Sequence, residues 1–540
     1  MKKFFTLLII TMSLLSFIRV KAAVREAYNI STSPSEDLAT SVNITWHSDI
    51  VDSFVEYTLV NDTSYSNKTT ILGTCKSFKK EANEGGFLSE GFNERYTCYA
   101  EIKNLTPASH YMYRIGKTTF SSNAFFNTAV NTNAFSFLHI TDPQYGNATQ
   151  ASHFNALMTR AYTINPNIGF TMFTGDIVDR GGKEVYWNYF YQQSNIAKTV
   201  IATVPGNHEY YDASGSPKTW DASYYNAYFH NPQNGPSAIM NSSYFFRYNN
   251  ALFIMIDSEN KNQGANTAWF KDVMDANIDA DFVVVGMHRS FYGSIYASDS
   301  VAVRALWQQL FDRYGVDLVL SGHDHIYARS HSIFNDTISS DPIRGTTYII
   351  GGFGGEKSYG ASPNPKYAKI IEQTRCANII TINNNNLLIN LINSSGETID
   401  TAIIQKKRLG TPTANFDKES FLNSIVGEVN QSNKTKATIS WSSSAFKNVA
   451  SIQVINNKYN SVIAETHLYH QSFTSLTISG ILKKVLNEYT VRIKFADGTV
   501  AEVIYVVDNR EVEPVEKITI IKALEMIQNE LKVQLSKVFK

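Results

Sequence analysis

Phe170-Thr171-Met172-Phe173-Thr174-Gly175-Asp176-Ile177-Val178-Asp179-Arg180-Gly181 joins a short apolar run to a polar turn that opens on glycine. A run this apolar and this short is a strand with both faces covered, and the glycine lets the chain turn sharply at its end. The arrangement recurs, with the glycine in every loop but the first. Residues 135–140 lead into Asp142-Pro143-Gln144, 200–204 into Gly206-Asn207-His208-Glu209, 282–285 into Gly286-Met287-His288-Arg289, and 318–320 into Gly322-His323-Asp324-His325. Further apolar runs lie at 252–256 and 347–350, with helical patterns at 149–161 and 301–314 between some of the runs. Buried strands alternating with helices predict a layered α/β domain, placed at 134–408, with its polar residues gathered at the carboxyl ends of the strands.

Outward from this domain the pattern changes to period-two alternation. Ser41-Val42-Asn43-Ile44-Thr45-Trp46 and His110-Tyr111-Met112-Tyr113-Arg114-Ile115 are short strands with one buried side, which predicts a small all-β sandwich over 24–130. The glycine-rich piece from 79 to 93 is read as a long hairpin loop. A second small β-sandwich is expected at 412–508, where Ala437-Thr438-Ile439-Ser440-Trp441 echoes the first. The segment 514–540 is expected to be an amphipathic helix, with Ile520, Leu524, Ile527, Leu531, Leu535 and Val538 on one stripe. That stripe needs a partner, either the chain's own domains or a second copy.

The first 22 residues open with Lys2 and Lys3, followed by an apolar run from Phe4 to Ile18 and by Val20-Lys21-Ala22 with small residues at the cleavage-compatible positions, the pattern of a secretory signal peptide. The run is shorter than the roughly 20 residues of a spanning helix, and no later run is long enough, so no stable membrane span is expected. The destination is therefore secretion, the cell surface or the periplasm. With 48 basic and 48 acidic residues the chain has no net field to attract nucleic-acid polymer, so an anionic ligand must be met by local cations. Three cysteines make no disulfide scaffold, and whether Cys75 and Cys98 pair is open at this level.

The five loops supply Asp142, Asp176, Asn207, His288, His323 and His325, a mixed oxygen and nitrogen donor set suited to borderline metals. Six ligands are too many for one four-coordinate ion and suit two ions about 3.5–4 Å apart. The shared ligand must be a carboxylate, because a neutral imidazole nitrogen has only one lone pair; Asp176 is the candidate. Two cations lower the pKa of a bound water, which becomes the nucleophile, and clamp phosphoryl oxygens; this is the chemistry of phosphoester hydrolysis. His208 is placed to contact the phosphate or protonate the leaving oxygen, and Arg180 to offer paired donors to phosphate or brace a ligand. Taken singly, each residue has a plainer reading: Asp142 as a turn residue, Asn207 as a turn after Gly206, Arg180 and Glu209 as a surface pair. The repeated strand, glycine and ligand unit outweighs them.

The motifs GDIVDRG, GNHE, GMHRS and GHDHIYAR, in this order, resemble those of the calcineurin-like metallophosphoesterases. The Trp-bearing, fibronectin III-like sandwich ahead of them resembles the purple acid phosphatase branch. The resemblance implies two facing β-sheets flanked by helices. It also implies a first ion on Asp142, Asp176 and His325 and a second on Asp176, Asn207, His288 and His323, the ions being iron, zinc or manganese. Gln144 stands where many members have histidine and would ligate weakly through oxygen or hold a metal-bound water. Asp179 stands where purple enzymes have the tyrosine that gives their colour, and Ala297 and Ser298 where they have phosphate-contacting histidines. That shifts work to His208, and with it to Arg289 or Tyr292. The expected activity is hydrolysis of small-molecule phosphomonoesters. Diester hydrolysis at the same centre and a non-enzymatic exported adhesion or glycan-binding module are the alternatives.

Overall fold

The computed structural model describes residues 24–79, 94–130, 132, 134–217, 222–341, 343–408, 412–470, 473–482 and 485–508. The signal-like segment 1–22, most of the 79–93 loop and the helical stripe at 514–540 lie outside the described residues. The chain forms two compact units, 1–412 and 413–540.

In the first unit two sheets lie face to face. One has ten strands, in the order Thr398–Gln405, Asn386–Asn393, Cys376–Ile382, Phe135–Ile140, Ile168–Phe173, Val200–Thr203, Tyr28–Pro34, Val42–Ser48, Glu94–Ile102 and Thr74–Lys79. The other is built on the parallel strands Ala251–Ile256, Phe282–Met287, Leu318–Ser321 and Thr346–Gly351. Side chains alternate along each strand, so every strand feeds two cores. Phe137, Phe170 and Met172 point between the sheets with Phe253, Met255 and Leu320, and the rings of Phe170 and Phe253 meet edge to face at 5.1 Å. Leu138, Ile140 and Phe173 point the other way, onto the helix Ala148–Ile164, through its Phe154, Leu157 and Met158. Val283 and Val285 likewise pack outward against Phe270, Trp307 and Phe311 of the helices Gln263–Ala276 and Ala297–Tyr314. Covering both faces explains the unbroken apolar runs in the sequence, and each large side chain so buried contributes about 1.5–3 kcal/mol.

The helices begin and end where local chemistry dictates. Asn147 caps Ala148–Ile164 by accepting from the Gln150 amide at 3.0 Å. Gly315, at φ +64°, ends Ala297–Tyr314 in the left-handed turn that glycine tolerates best. No described helix is long and apolar enough to cross a membrane.

The N-terminal sandwich does not stand apart from this framework. Its strand Tyr28–Pro34 pairs in parallel with Val200–Thr203 at Thr32 and Val200, so four of its strands extend the ten-stranded sheet. A second sheet of Thr69–Leu72, Phe54–Leu59, His110–Gly116 and Ala124–Asn127 closes it. Trp46 is fully buried, donates to Ser53 Oγ at 2.8 Å and packs against Gly73, where a Cβ would meet the indole at 2.3 Å. Cys75 and Cys98 sit opposite each other on neighbouring strands and form a disulfide.

The second unit has a three-stranded antiparallel sheet, Val426–Val429, Lys436–Ser440 and Ser475–Ser479, and a four-stranded one, Ser461–His467, Val449–Asn456, Leu486–Phe495 and Val500–Asp508. Trp441, Ile439, Ile452, Tyr489 and Val491 form its core, and the Trp441 indole donates to Phe473 O at 2.9 Å.

Candidate metal centre

The parallel strands Phe135–Ile140, Ile168–Phe173, Phe282–Met287 and Leu318–Ser321, with Val200–Thr203, deliver their following loops to one edge of the two sheets. There the loops bind each other through backbone: Asp142 N–H donates to Gly175 O at 3.2 Å, Gln144 N–H to Asp176 O at 2.8 Å, and Gly322 N–H to His288 O at 3.0 Å. Asp142, Gln144, Asp176, His323 and His325 all hold φ between +43° and +73°. A non-glycine residue there is strained by about 1–3 kcal/mol, and such strain gathers at functional sites because it aims side chains that a relaxed turn would not.

The side chains so aimed converge in two groups that share Asp176. Ligand atoms of Asp176, His288 and His323 lie within 4.8 Å of one another, as do those of Asp142, Asp176 and His325, and all five residues are buried. Asn207 joins the first group, its Oδ1 3.2 Å from His288 Nε2. His288 donates Nδ1–H to Thr174 O at 2.8 Å, and His325 donates Nδ1–H to Lys357 O at 2.7 Å. Each bond sets the ring so that Nε2 faces inward, toward a carboxylate: Asp176 Oδ2 at 3.3 Å for His288, Asp142 Oδ1 at 3.3 Å for His325. Burial opposes the charge on Asp176, but the adjacent His288 and His208 outweigh it and hold the carboxyl well below its usual range. Against its own burial, His288 is pushed up to about 10 by Asp176. The proton that Asp176 so holds on His288 Nε2 occupies the place a cation would take.

Gln144 and His208 form one hydrogen-bonded unit beside Asp176. His208 Nδ1–H donates to Asp179 O at 2.7 Å, so its Nε2 accepts from the Gln144 amide at 2.8 Å. The His208 ring is 14% exposed, with Nε2 3.8 Å from Asp176 Oδ2. Gln144 Oε1 is then a buried oxygen without a partner among the described residues. An orphaned acceptor next to Asp142 and Asp176 fits a cation or its water and is costly without one. The donor set, the two groups sharing one carboxylate and this orphan oxygen together fit a pair of metal ions.

Two expectations place differently. Arg180 turns toward the loop after Tyr210, donating to Ala213 O at 3.2 Å and lying 3.7 Å from Asp179, and it makes no pair with Glu209. Tyr292 packs on Tyr348 and donates to Asp336 at 3.2 Å, whereas Arg289 does lie at the cluster, 2.9 Å from His323 Nε2.

The residues that organise the loops were not evident from sequence. Glu209 is completely buried, and its carboxyl accepts four backbone N–H groups: Asp176 at 2.8 Å, Gly206 at 2.7 Å, Ile177 at 2.8 Å and Val178 at 3.1 Å. Burial and the nearby Asp176 push its pKa up, while the amides pull it down. Four donors against its two oxygens leave no room for a carboxyl proton, so the geometry is that of a carboxylate. Asp324, between the two histidines, accepts from Ser290 Oγ at 2.5 Å and from the amides of Ser294, Ile295 and Tyr296 at 3.0–3.2 Å, fixing the turn after His288. The Gly206-x-x-Glu209 spacing, which lets the glutamate reach back to the Gly206 amide, was the available signal for the first; nothing local marks the second. Close packing leaves no alternative to glycine at 206, where a Cβ would sit 2.2 Å from Asp176 Oδ1.

Two facing sheets whose loops gather a shared-carboxylate ligand set define a calcineurin-like metallophosphoesterase. In agreement, residues 135–327 match the calcineurin-like phosphoesterase family and residues 27–128 the purple acid phosphatase N-terminal domain. Acid phosphatase type 7 of Danio rerio is 26% identical over 420 residues, 68% of this chain and 89% of that protein. A purple acid phosphatase of Glycine max is 24% identical over 328 residues, 55% of this chain and 69% of that protein. The fold is shared with purple acid phosphatase PPD1 from yellow lupin seeds, at TM-score 0.57 and 16% identity over 71% of this chain and 74% of the other. The chain carries a calcineurin-like phosphoesterase domain behind a purple acid phosphatase N-terminal domain, and is a phosphoester hydrolase with candidate ligand groups for a dinuclear centre.

Proposed function

We propose that this enzyme hydrolyses phosphomonoesters with two metal ions, the first held by Asp142, Asp176 and His325 with Gln144 beside it, the second by Asp176, Asn207, His288 and His323. The observation that carries the reading is that two separate three-residue groups share Asp176. When bound, the ions supply an acidified water near neutral pH and positive charge for the phosphoryl oxygens. The protein's part is orientation. Thr174 O and Lys357 O hold His288 and His325 with Nε2 inward, and Glu209 holds the Asp176 and Asn207 loops at a set distance. His208, with Nδ1 tied to Asp179 O, presents Nε2 beside Asp176, where it can carry a proton to the leaving oxygen. Arg180 takes a supporting role on the Asp179 side, not a direct one on phosphate.

Beside Asn207 a cavity of about 530 Å³ opens between Tyr211, Glu259, Arg289 and Val303. Its size suits a leaving group larger than phosphate alone. Iron, zinc or manganese would suit the donor set, and with Asp179 in place of a tyrosine the ferric colour band should be missing. We read the chain as exported, on the signal-like N-terminus and the Cys75–Cys98 disulfide, which persists in oxidising compartments. The functional divisions are taken as 24–130, 134–408 and 412–508. Turnover of a panel of monoesters by the purified chain, with and without Mn²⁺, Zn²⁺ and Fe²⁺, tests the proposal. Metal-independent or absent turnover refutes it, and activity on bis-esters alone assigns the centre to diesters instead.

A further inference from the structure

His323 is held differently from the other two histidines of the centre. His288 and His325 each give Nδ1–H to a backbone carbonyl and turn Nε2 inward. In His323 it is Nδ1 that faces inward, 3.2 Å from His288 Nε2, and Nε2 that faces out. To offer a lone pair at Nδ1, a neutral imidazole must carry its proton at Nε2, and that proton needs an acceptor.

Two groups meet the outward Nε2. Arg289 Nη1 lies at 2.9 Å, and Asp299 Oδ2 at 3.5 Å. A guanidinium has donors only, so it cannot receive the proton. The carboxylate can. Asp299 stands in the first turn of Ala297–Tyr314 and is gripped by Arg289 Nη1, while Arg289 is itself fixed by Glu259 through two parallel bonds of 2.7 Å, Nε to Oε1 and Nη2 to Oε2. The Arg289 fork thus has one carboxylate that anchors it and a second that it holds beside the histidine. Glu259 is nearly buried at 8% side-chain exposure and Asp299 is open at 40%, as suits an anchor and a group that must move slightly.

We propose that Asp299 is a positioning residue that accepts Nε2–H of His323, completing a carboxylate, histidine and metal series, and that Arg289 sets Asp299 in place. This rests on the ligand assignment proposed above. When the ring presents Nδ1 to an ion, the contact with Arg289 becomes donor against donor, and the Asp299 distance closes from 3.5 Å toward the roughly 2.8 Å of a charge-assisted bond. The sequence hides this series because Asp299 and His323 are 24 positions apart, one in the first turn of a helix and the other in a loop.

The test is the affinity of each ion, measured on the full mature chain by competition between Zn²⁺ and a fluorescent chelator. Four proteins are compared: wild type, Asp299→Ala, Asp299→Glu and His323→Ala. The expected result is that Asp299→Ala weakens one of two Zn²⁺ ions by about 10–100-fold and leaves the other unchanged, that Asp299→Glu recovers part of the loss, and that His323→Ala weakens the same ion further. A merely structural role at the helix start would lower the melting temperature without favouring one ion. Two wild-type affinities in Asp299→Ala, or equal weakening of both, overturn the proposal while His323→Ala still loses one ion. If His323→Ala keeps both ions, the ligand assignment itself fails.

Discussion

Replacing Glu209 by glutamine tests whether one buried carboxylate spaces the two ligand loops. The carboxylate receives two N–H groups on each oxygen, from Asp176 and Gly206 on one and Ile177 and Val178 on the other. Glutamine matches the shape but turns one acceptor into an NH₂ donor, leaving two buried amides facing a donor. Each unsatisfied buried donor is worth about 1–3 kcal/mol, so the gross loss is about 2–6 kcal/mol. Removing a buried charge gives part of this back, and the net expectation is about 2–4 kcal/mol. Urea denaturation of the full chain gives the change in stability, and hydrogen exchange at the amides of residues 176–178 and 206 reports it locally. Exchange should rise at these four amides first, with weaker metal binding. A Glu209→Gln protein within about 0.5 kcal/mol of wild type, with unchanged exchange at Asp176, would refute the reasoning.

Three further outcomes are expected. Gly206→Ala places a methyl group 2.2 Å from Asp176 Oδ1 and 2.5 Å from its amide, so turnover should fall at least about 100-fold, or roughly 2.7 kcal/mol, and metal affinity with it; a steady-state assay and metal titration decide this. Burial holds His139 neutral, down to about 3 against an ordinary 6.5. The unfolded chain therefore takes a proton there that the folded chain refuses, and stability, complete above pH 6.5, is lost by about 1.4 kcal/mol per unit as pH falls through that window. His139→Gln should flatten the pH dependence of the urea midpoint, and an unchanged slope would contradict it. The disulfide closes a separation of 23 residues, so opening it by Cys75→Ser with Cys98→Ser should cost about 3 kcal/mol in the N-terminal sandwich, read by thermal denaturation.

Much of the site was legible because four of the five loops announce themselves with an apolar run, a glycine and a ligand, and the fifth with a run and a ligand. The run 170–173 is apolar on both faces because one face meets the opposite sheet and the other a helix, and Gly175 marks the turn at its end. What sequence does not carry is pairing across distance. Thr32 beside Val200 joins the N-terminal sandwich to the catalytic sheet, and no local pattern marks a single parallel contact between strands so far apart. Glu209 and Asp324 bind backbone amides, which every residue owns, so their partners leave no trace in residue type. Arg180 reads as a phosphate ligand by chemistry, yet its loop turns it to Ala213. The left-handed backbone at Asp142, Gln144 and Asp176 is likewise a product of the fold, since none of these residues requires it.

Metal content of the purified, loaded chain, counted beside that of Asp176→Ala, puts the shared carboxylate to the proof. Two ions per wild-type chain and loss of tight binding at both positions in the variant are predicted. A single ion in wild type, or a variant that keeps one ion at full affinity, would contradict it.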